Sequence, residues 1–291
     1  MTVAVPVDSD AGVTTRQEAQ KDGDIPHGVP ISAQGIRHAF VRDGRAVTAL
    51  WDFSLEVPAG QFLSIVGPSG CGKTTFLQMM GGLATPGAGG IQIGGSPLRG
   101  PSPDTAYMLA RDAMLPWRNA LQNVEFGLAA RGVPRKERHR RTREWMARVH
   151  LAGFEDARVT ELSQGMRQRV AIARTLATEP RCLLMDEPFA ALDAQTRSLV
   201  QREFLRLWES IRPTVILITH DLNEAIALGD RVVVMSHRPG RVLEDVWIDL
   251  PRPRTEAASR SKQFLEYQEH LSGVLRDEVN KALQGTAEEK T

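Results

Sequence analysis

Apolar and polar positions change rhythm along this chain. From about residue 31 the text reads as strand: ISAQGIRHAF, then VTALWDFSLEV, in which apolar and polar residues alternate as they do on a half-buried strand. FLSIVG at 62–67 is a short unbroken apolar run, the pattern of a strand covered on both faces. A helix is expected from Lys73 to about Gly81, then a glycine- and proline-rich loop, then the strand IQIGG. TAYMLA reads as a further strand. NALQNVEFGLAARG, RKERHRRTREWMARVHL and residues 165–178 read as helices. CLLMDE, TVILIT and RVVVMS are short strands separated by helices at about 194–210 and around LNEAIAL. Beyond VLEDVWIDLPRPR a polar helix is expected over 256–283. Strands alternating with helices imply an α/β fold with a mostly parallel sheet. The helical block at about 104–178 interrupts the core strands.

Composition narrows the class without naming it. A chain of 291 residues with a net charge of +1 has no global attraction to nucleic acid or anionic lipid. No apolar run approaches the ~20 residues of a membrane span. The opening MTVAVPVDSDAGVTT lacks the basic start and apolar core of a secretory signal, and residues 1–30 read as a disordered tail. Cys71 and Cys182 fit neither a disulfide framework nor a zinc pattern. These features suggest a cytoplasmic protein. The stretch at 131–148 carries eight Lys/Arg, but a solvated helix with Trp145 and Val149 facing inward accounts for it better than a nucleic-acid surface.

The chemistry begins at GPSGCGKTT, residues 67–75, which satisfies G-x-x-x-x-G-K-[ST] between an expected strand and an expected helix. Gly67, Gly70 and Gly72 let backbone N–H groups converge on phosphate oxygens, with Ser69, Cys71 and Thr75 in the same loop. Lys73 is placed for the β- and γ-phosphates of a nucleotide, and Thr74 for Mg²⁺. Cys71 reads as a small space-filler. In CLLMDEPFAALD an apolar strand ends in two carboxylates, Asp186 for Mg²⁺ and Glu187 as the general base that polarises the attacking water.

A phosphate loop alone does not separate kinases, GTPases and transport ATPases. The segment LSQGMRQRVAIARTLATEP followed by the DE strand resembles the ATP-binding cassette (ABC) family across about residues 31–250. LSQGM is a variant of that family's signature, with Gln164 where glycine is commonest and Met166 where glutamine is. The resemblance implies a P-loop NTPase (RecA-like) core, an N-terminal antiparallel β subdomain and an inserted helical subdomain. It implies that Ser163, Gln164 and Gly165 bind the γ-phosphate held by a second copy of the chain. The physical sense is that Ser163 caps a helix start, Gly165 admits close approach and free N–H groups face an anion. The resemblance further implies His220 as the switch histidine, Asp193 as a contact to the partner copy and Phe40 as the ring that stacks on adenine.

MLPWRNALQNV, DRVVVMSHRPGRV and DLPRPR look like the importers of nitrate, sulfonate, taurine and related solutes. Such an ATPase homodimer would drive a membrane permease fed by a solute-binding protein, at the cytoplasmic face of the membrane and without nucleic acid. One departure stands out. The family's hinge glutamine, seven residues before Trp117, is Ala110 here, which can neither donate nor accept a side-chain hydrogen bond. A nucleotide-sensing subunit with weak turnover and a soluble ABC ATPase acting on nucleic acid are the two alternatives.

Overall fold

The computed structural model describes residues 27–42, 45–109, 113–254 and 257–288, with side chains as far as 281. Ala110 and most of the expected N-terminal tail lie outside these residues.

Two sheets organise the chain. Strands β1 (Ile31–Arg42), β2 (Arg45–Val57), β4 (Ala88–Ile93) and β5 (Ser96–Pro97) form an antiparallel sheet in the order β2-β1-β4-β5. The second sheet has six strands. β3 (Phe62–Val66), β6 (Thr105–Met108), β7 (Cys182–Asp186), β8 (Thr214–Ile218) and β9 (Arg231–Met235) run parallel, and β10 (Val242–Trp247) closes the order β10-β9-β3-β8-β7-β6 as an antiparallel edge. β3, β7 and β8 are buried at every position, as their unbroken apolar runs require. β10, half-exposed along its length, escaped the sequence reading as a separate strand.

Side-chain alternation splits the core in two. Leu183, Met185, Val215 and Leu217 pack with the inserted helices, whereas Cys182, Leu184, Ile216 and Ile218 pack beneath the antiparallel sheet and α1 (Lys73–Met80). Trp208 anchors the first cluster, fully buried, its Nε1 donating to the Pro213 carbonyl at 2.9 Å and its ring set edge-on to Phe62.

The insertion holds α2 (Ala120–Ala130), α3 (Arg135–Arg148) and α4 (Gln164–Leu176). β6 pairs with β7 inside the main sheet, so the helical stretch starts after Met108 rather than at 104. A capping box starts α2: Asn119 accepts from the Gln122 N–H at 2.8 Å, and the Gln122 side chain accepts from the Asn119 N–H at 3.2 Å. In α3 the apolar face carries buried Trp145 and Met146, and Val149 follows at its C-cap, also buried. Several of its basic side chains are paired within the chain: Arg138 and His139 with Glu125, Arg140 with Glu137 and Glu144, and Arg141 with Glu179.

After α5 (Ala194–Ile211) and α6 (Leu222–Leu228), the last described element is α7 (Lys262–Glu288). A 3-10 turn at Ala258–Arg260 precedes α7, which starts later than the sequence pattern suggests. Phe264 and Leu271 fasten α7 to a third apolar cluster with Ile226 and Val234. No helix among the described residues is long and apolar enough to cross a membrane.

Candidate functional site

The parallel strands aim their carboxyl ends at one crevice, and the phosphate-loop and acidic motifs lie there. β3 runs into the loop Gly67–Gly72, and α1 leaves it. Gly70 and Gly72 have φ of 75° and 110°, a region that strains any side chain. A Cβ on Gly72 would also lie 2.8 Å from Leu50 Cδ2 and 3.0 Å from the Ala49 carbonyl oxygen. No side chain caps α1, so its first-turn N–H groups and its positive dipole end are left for an anion.

Lys73 is buried, with Nζ donating to the carbonyls of Gly67 at 2.7 Å and Pro68 at 2.9 Å. Cys71 is buried among apolar residues, with Sγ 3.8 Å from Lys73 Nζ. Burial pushes its thiol pKa up, against the pull of Lys73, which disfavours the reactive thiolate.

A cavity of about 600 Å³ opens over this loop. Ser69, Gly70, Gly72, Lys73, Thr74 and Thr75 form one wall. Phe40, Val47 and Ala49 form another, and Glu187 and Arg238 complete the lining. Phe40 is half-exposed and rests edge-on against His38, with ring centroids 4.7 Å apart. Gly67, Cys71, Asp186, His220 and the segment 163–165 do not line the cavity.

Asp186 ends β7, buried. Its carboxylate accepts from Thr74 Oγ1 at 3.2 Å and from the Tyr107 hydroxyl at 3.4 Å. Burial raises its pKa, and the charge of Glu187 adds to that, while the Thr74 and Tyr107 hydrogen bonds and Lys73 oppose it. A buried carboxylate held above its usual range is one that a cation would relieve. The donor set, a hydroxyl beside a carboxylate, is the oxygen chemistry Mg²⁺ takes when phosphate and water supply its other ligands. Among the described residues there is no cluster of three or more His, Cys, Asp or Glu that could hold a metal without such help.

Glu187 follows in a left-handed conformation, φ 45°. Its N–H donates to the Ile218 carbonyl at 2.9 Å, and its Oε2 is 3.2 Å from His220 Nδ1. β7 and β8 are neighbours, so the two motifs meet although they are far apart in sequence.

The segment Ser163–Gly165 lies elsewhere, at the start of α4. Ser163 Oγ accepts from the Met166 N–H at 3.2 Å, which makes it the cap of that helix. A Cβ on Gly165 would come within 2.6 Å of Thr196 Cγ2. Thr196 is itself held by Asp193, whose Oδ1 accepts from its N–H at 3.0 Å, so this segment and the ALD loop form one surface. Ser163 and Gln164 are exposed.

Sequence reasoning missed Tyr107 and Arg238. Tyr107 reaches Asp186 only because β6 pairs with β7, which no local motif announces. Arg238 had a signal, the turn SHRPGR directly after a strand, but nothing that tied it to the phosphate loop.

Comparisons with known proteins bear on the family and the fold. A sequence profile of the family described as "ABC transporter" matches residues 50–190. An uncharacterized ABC transporter ATP-binding protein of Methanocaldococcus jannaschii is 46% identical over 255 residues, spanning 88% of this chain and 94% of its own. A taurine import ATP-binding protein, TauB, of Pseudomonas savastanoi pv. phaseolicola is 44% identical over 233 residues, 78% of this chain and 89% of its own. Among solved structures, the ATP-binding cassette MJ0796, in a dimeric post-hydrolysis state bound to ADP and Pi, superposes with a TM-score of 0.66 at 29% identity, covering 75% of this chain and 98% of the other. The chain therefore belongs to the ABC transporter family, as an ATP-binding subunit that hydrolyses ATP in the service of transport.

Proposed function

We propose that this chain is the motor subunit of an importer for a small anionic or zwitterionic solute of the nitrate, sulfonate and taurine class. The similarity to taurine import proteins carries the substrate class, together with MLPWRNALQNV and DLPRPR. In this reading the chain sits at the cytoplasmic face of the membrane as a homodimer. It is bound to permease subunits that are themselves fed by a solute-binding protein. Its units are an ATPase domain over about 31–250 and a C-terminal extension.

The distances support a role for each residue. Lys73 releases the Gly67 and Pro68 carbonyls to meet phosphate oxygens, and the loop N–H groups of residues 69–75 cradle the rest. Phe40 offers the half-exposed ring on which adenine stacks. Thr74 and Asp186 would hold Mg²⁺, which would supply charge neutralisation at the phosphates. Glu187 accepts a proton from the attacking water, and His220, 3.2 Å from its carboxylate, orients it. Ser163 and Gln164 are exposed and Gly165 is partly so, and none of them lines this cavity, which suits a role toward the nucleotide of a partner copy.

Glu187→Gln removes the base while keeping the shape, so turnover should fall at least ~100-fold and ATP should stay bound. Light scattering should then show the Glu187→Gln mass double with ATP, and Ser163→Arg in the same background should abolish the doubling. A monomer with ATP bound in both would sink the trans reading. Uptake of labelled taurine or nitrate by the assembled transporter tests the substrate class. Ala110 supports a second reading, a subunit of weak turnover, for which Ala110→Gln should raise the ATPase rate.

A further inference from the structure

We propose that Arg238 is a nucleotide-binding residue that gives the phosphate chain a second cation, and that α7 sets its position through Glu278. The proposal rests on the ATP-binding reading of the cavity and extends it.

Arg238 lies in the turn between β9 and β10, and this turn is wedged against the phosphate loop. The Gly240 N–H donates to the Ala49 carbonyl at 2.8 Å, and the Gly240 carbonyl accepts from the Trp51 N–H at 3.2 Å. A Cβ on Gly240 would lie 2.2 Å from the Cys71 carbonyl oxygen, so the backbones of turn and loop are in contact. From that position Arg238 Nε and Nη2 both reach the Gly70 carbonyl, at 3.4 and 3.3 Å. Both are long bonds, and both go to an uncharged acceptor. No carboxylate pairs with this guanidinium among the described residues. The side chain is exposed and lines the cavity.

Charge and position select the ligand group. Three charged side chains line the cavity: Lys73, Glu187 and Arg238. Lys73 is buried on carbonyls, so Arg238 is the cation that faces open space. The turn that carries it is bonded to Ala49, but its guanidinium reaches the Gly70 carbonyl of the phosphate loop. A planar guanidinium with donors to spare suits phosphate oxygens, which it can take two at a time.

α7 holds the neighbouring residue. Glu278 is buried at 2% exposure, and its Oε2 accepts from the His237 N–H at 2.9 Å and lies 2.8 Å from His237 Nδ1. Lys281 donates to its other oxygen at 2.6 Å. The backbone immediately before Arg238 is thus tied to the C-terminal helix, and Glu278 is a positioning residue.

The test is calorimetric titration of the full chain carrying Glu187→Gln with ATP, ADP and AMP. Arg238→Ala should raise the Kd for ATP and ADP about tenfold and that for AMP much less, and Arg238→Lys should recover part of the loss. Glu278→Gln should weaken ATP about threefold on its own and add nothing in the Arg238→Ala protein. An unchanged ATP Kd in Arg238→Ala, or an equal loss for ATP and AMP, would overturn the proposal. If Arg238→Ala lowers the nucleotide-free Tm, Arg238→Lys decides: selective rescue of ATP over AMP supports the contact, and no rescue overturns it. Lys73→Ala is the control. If the parent protein binds no ATP, the reading of the cavity falls, and the role of Arg238 falls with it.

Discussion

Glu224 ought to make this protein less stable as pH rises, and one substitution should remove the effect. The side chain is buried at 6% exposure in the first turn of α6 and accepts from Gln201 Nε2 at 2.7 Å. Burial pushes its pKa from the ordinary 4.5 up to about 7, and the charge of Asp221 adds to this against hydrogen bonds from Thr219 and Gln201. The sign follows from proton binding. Between pH 4.5 and 7 the folded chain holds a proton that the unfolded chain has released, so stability falls with each step up in pH. The cost is absent below pH 4.5 and complete above pH 7. At ~1.4 kcal/mol per pH unit it reaches about 3 kcal/mol. Glu224→Gln imitates the protonated acid and keeps an oxygen for Gln201. It should match the parent near pH 4.5 and exceed it by about 3 kcal/mol at pH 8, a rise in Tm of roughly 6 °C for a chain of this size. Thermal melts of both proteins across pH 5–8 measure the gap. A gap that does not widen with pH would refute the reasoning, because a packing effect does not titrate.

Two further outcomes are expected. Trp208→Ala removes a fully buried ring, its 2.9 Å bond to Pro213 and the stacking of Arg212 and Arg252 at 4.5 Å, and should cost about 3–5 kcal/mol in chemical denaturation. Tyr107→Phe takes from Asp186 a hydrogen bond that favours its ionised form. The Mg²⁺ concentration for half-maximal ATPase should therefore rise, more at pH 6 than at pH 8, and an equal rise at both would show that the hydroxyl acts otherwise.

Local sequence revealed whatever depends on local geometry. The glycines of GPSGCGKTT announce a phosphate loop because only glycine follows the left-handed backbone at 70 and 72. The run CLLMDE announces a buried strand ending in acids because its apolar and charged positions change abruptly at Asp186. Contacts set by strand order were silent. Tyr107 meets Asp186 because β6 chose β7 as its neighbour, and Arg238 meets Gly70 because β9 lies beside β3. Glu278 is hidden further still: it is one of several carboxylates on a polar helix until α7 folds back on the β9–β10 turn. The strand at 105–108 was legible as TAYMLA, but its place beside β7, which detaches it from the helical block, was not.

The conformation of Glu187 ties the two halves of the proposed catalytic pair together. A glutamate at φ 45° is held against a backbone preference of about 1 kcal/mol or more, and something must hold it there. Its N–H is bonded to the carbonyl of Ile218, the last residue of β8, two positions before His220. The same bond thus fixes the backbone of the base and the strand end from which the histidine departs, and leaves their side chains 3.2 Å apart. A displacement of β8 relative to β7 would disturb both residues at once. On this geometry the base cannot be repositioned without its orienting histidine, so substitutions that loosen the end of β8, such as Ile218→Gly, should lower kcat while leaving ATP affinity close to that of the parent. A proportional loss of both would instead mean that the phosphate loop itself, one strand further along in the same sheet, had been disturbed.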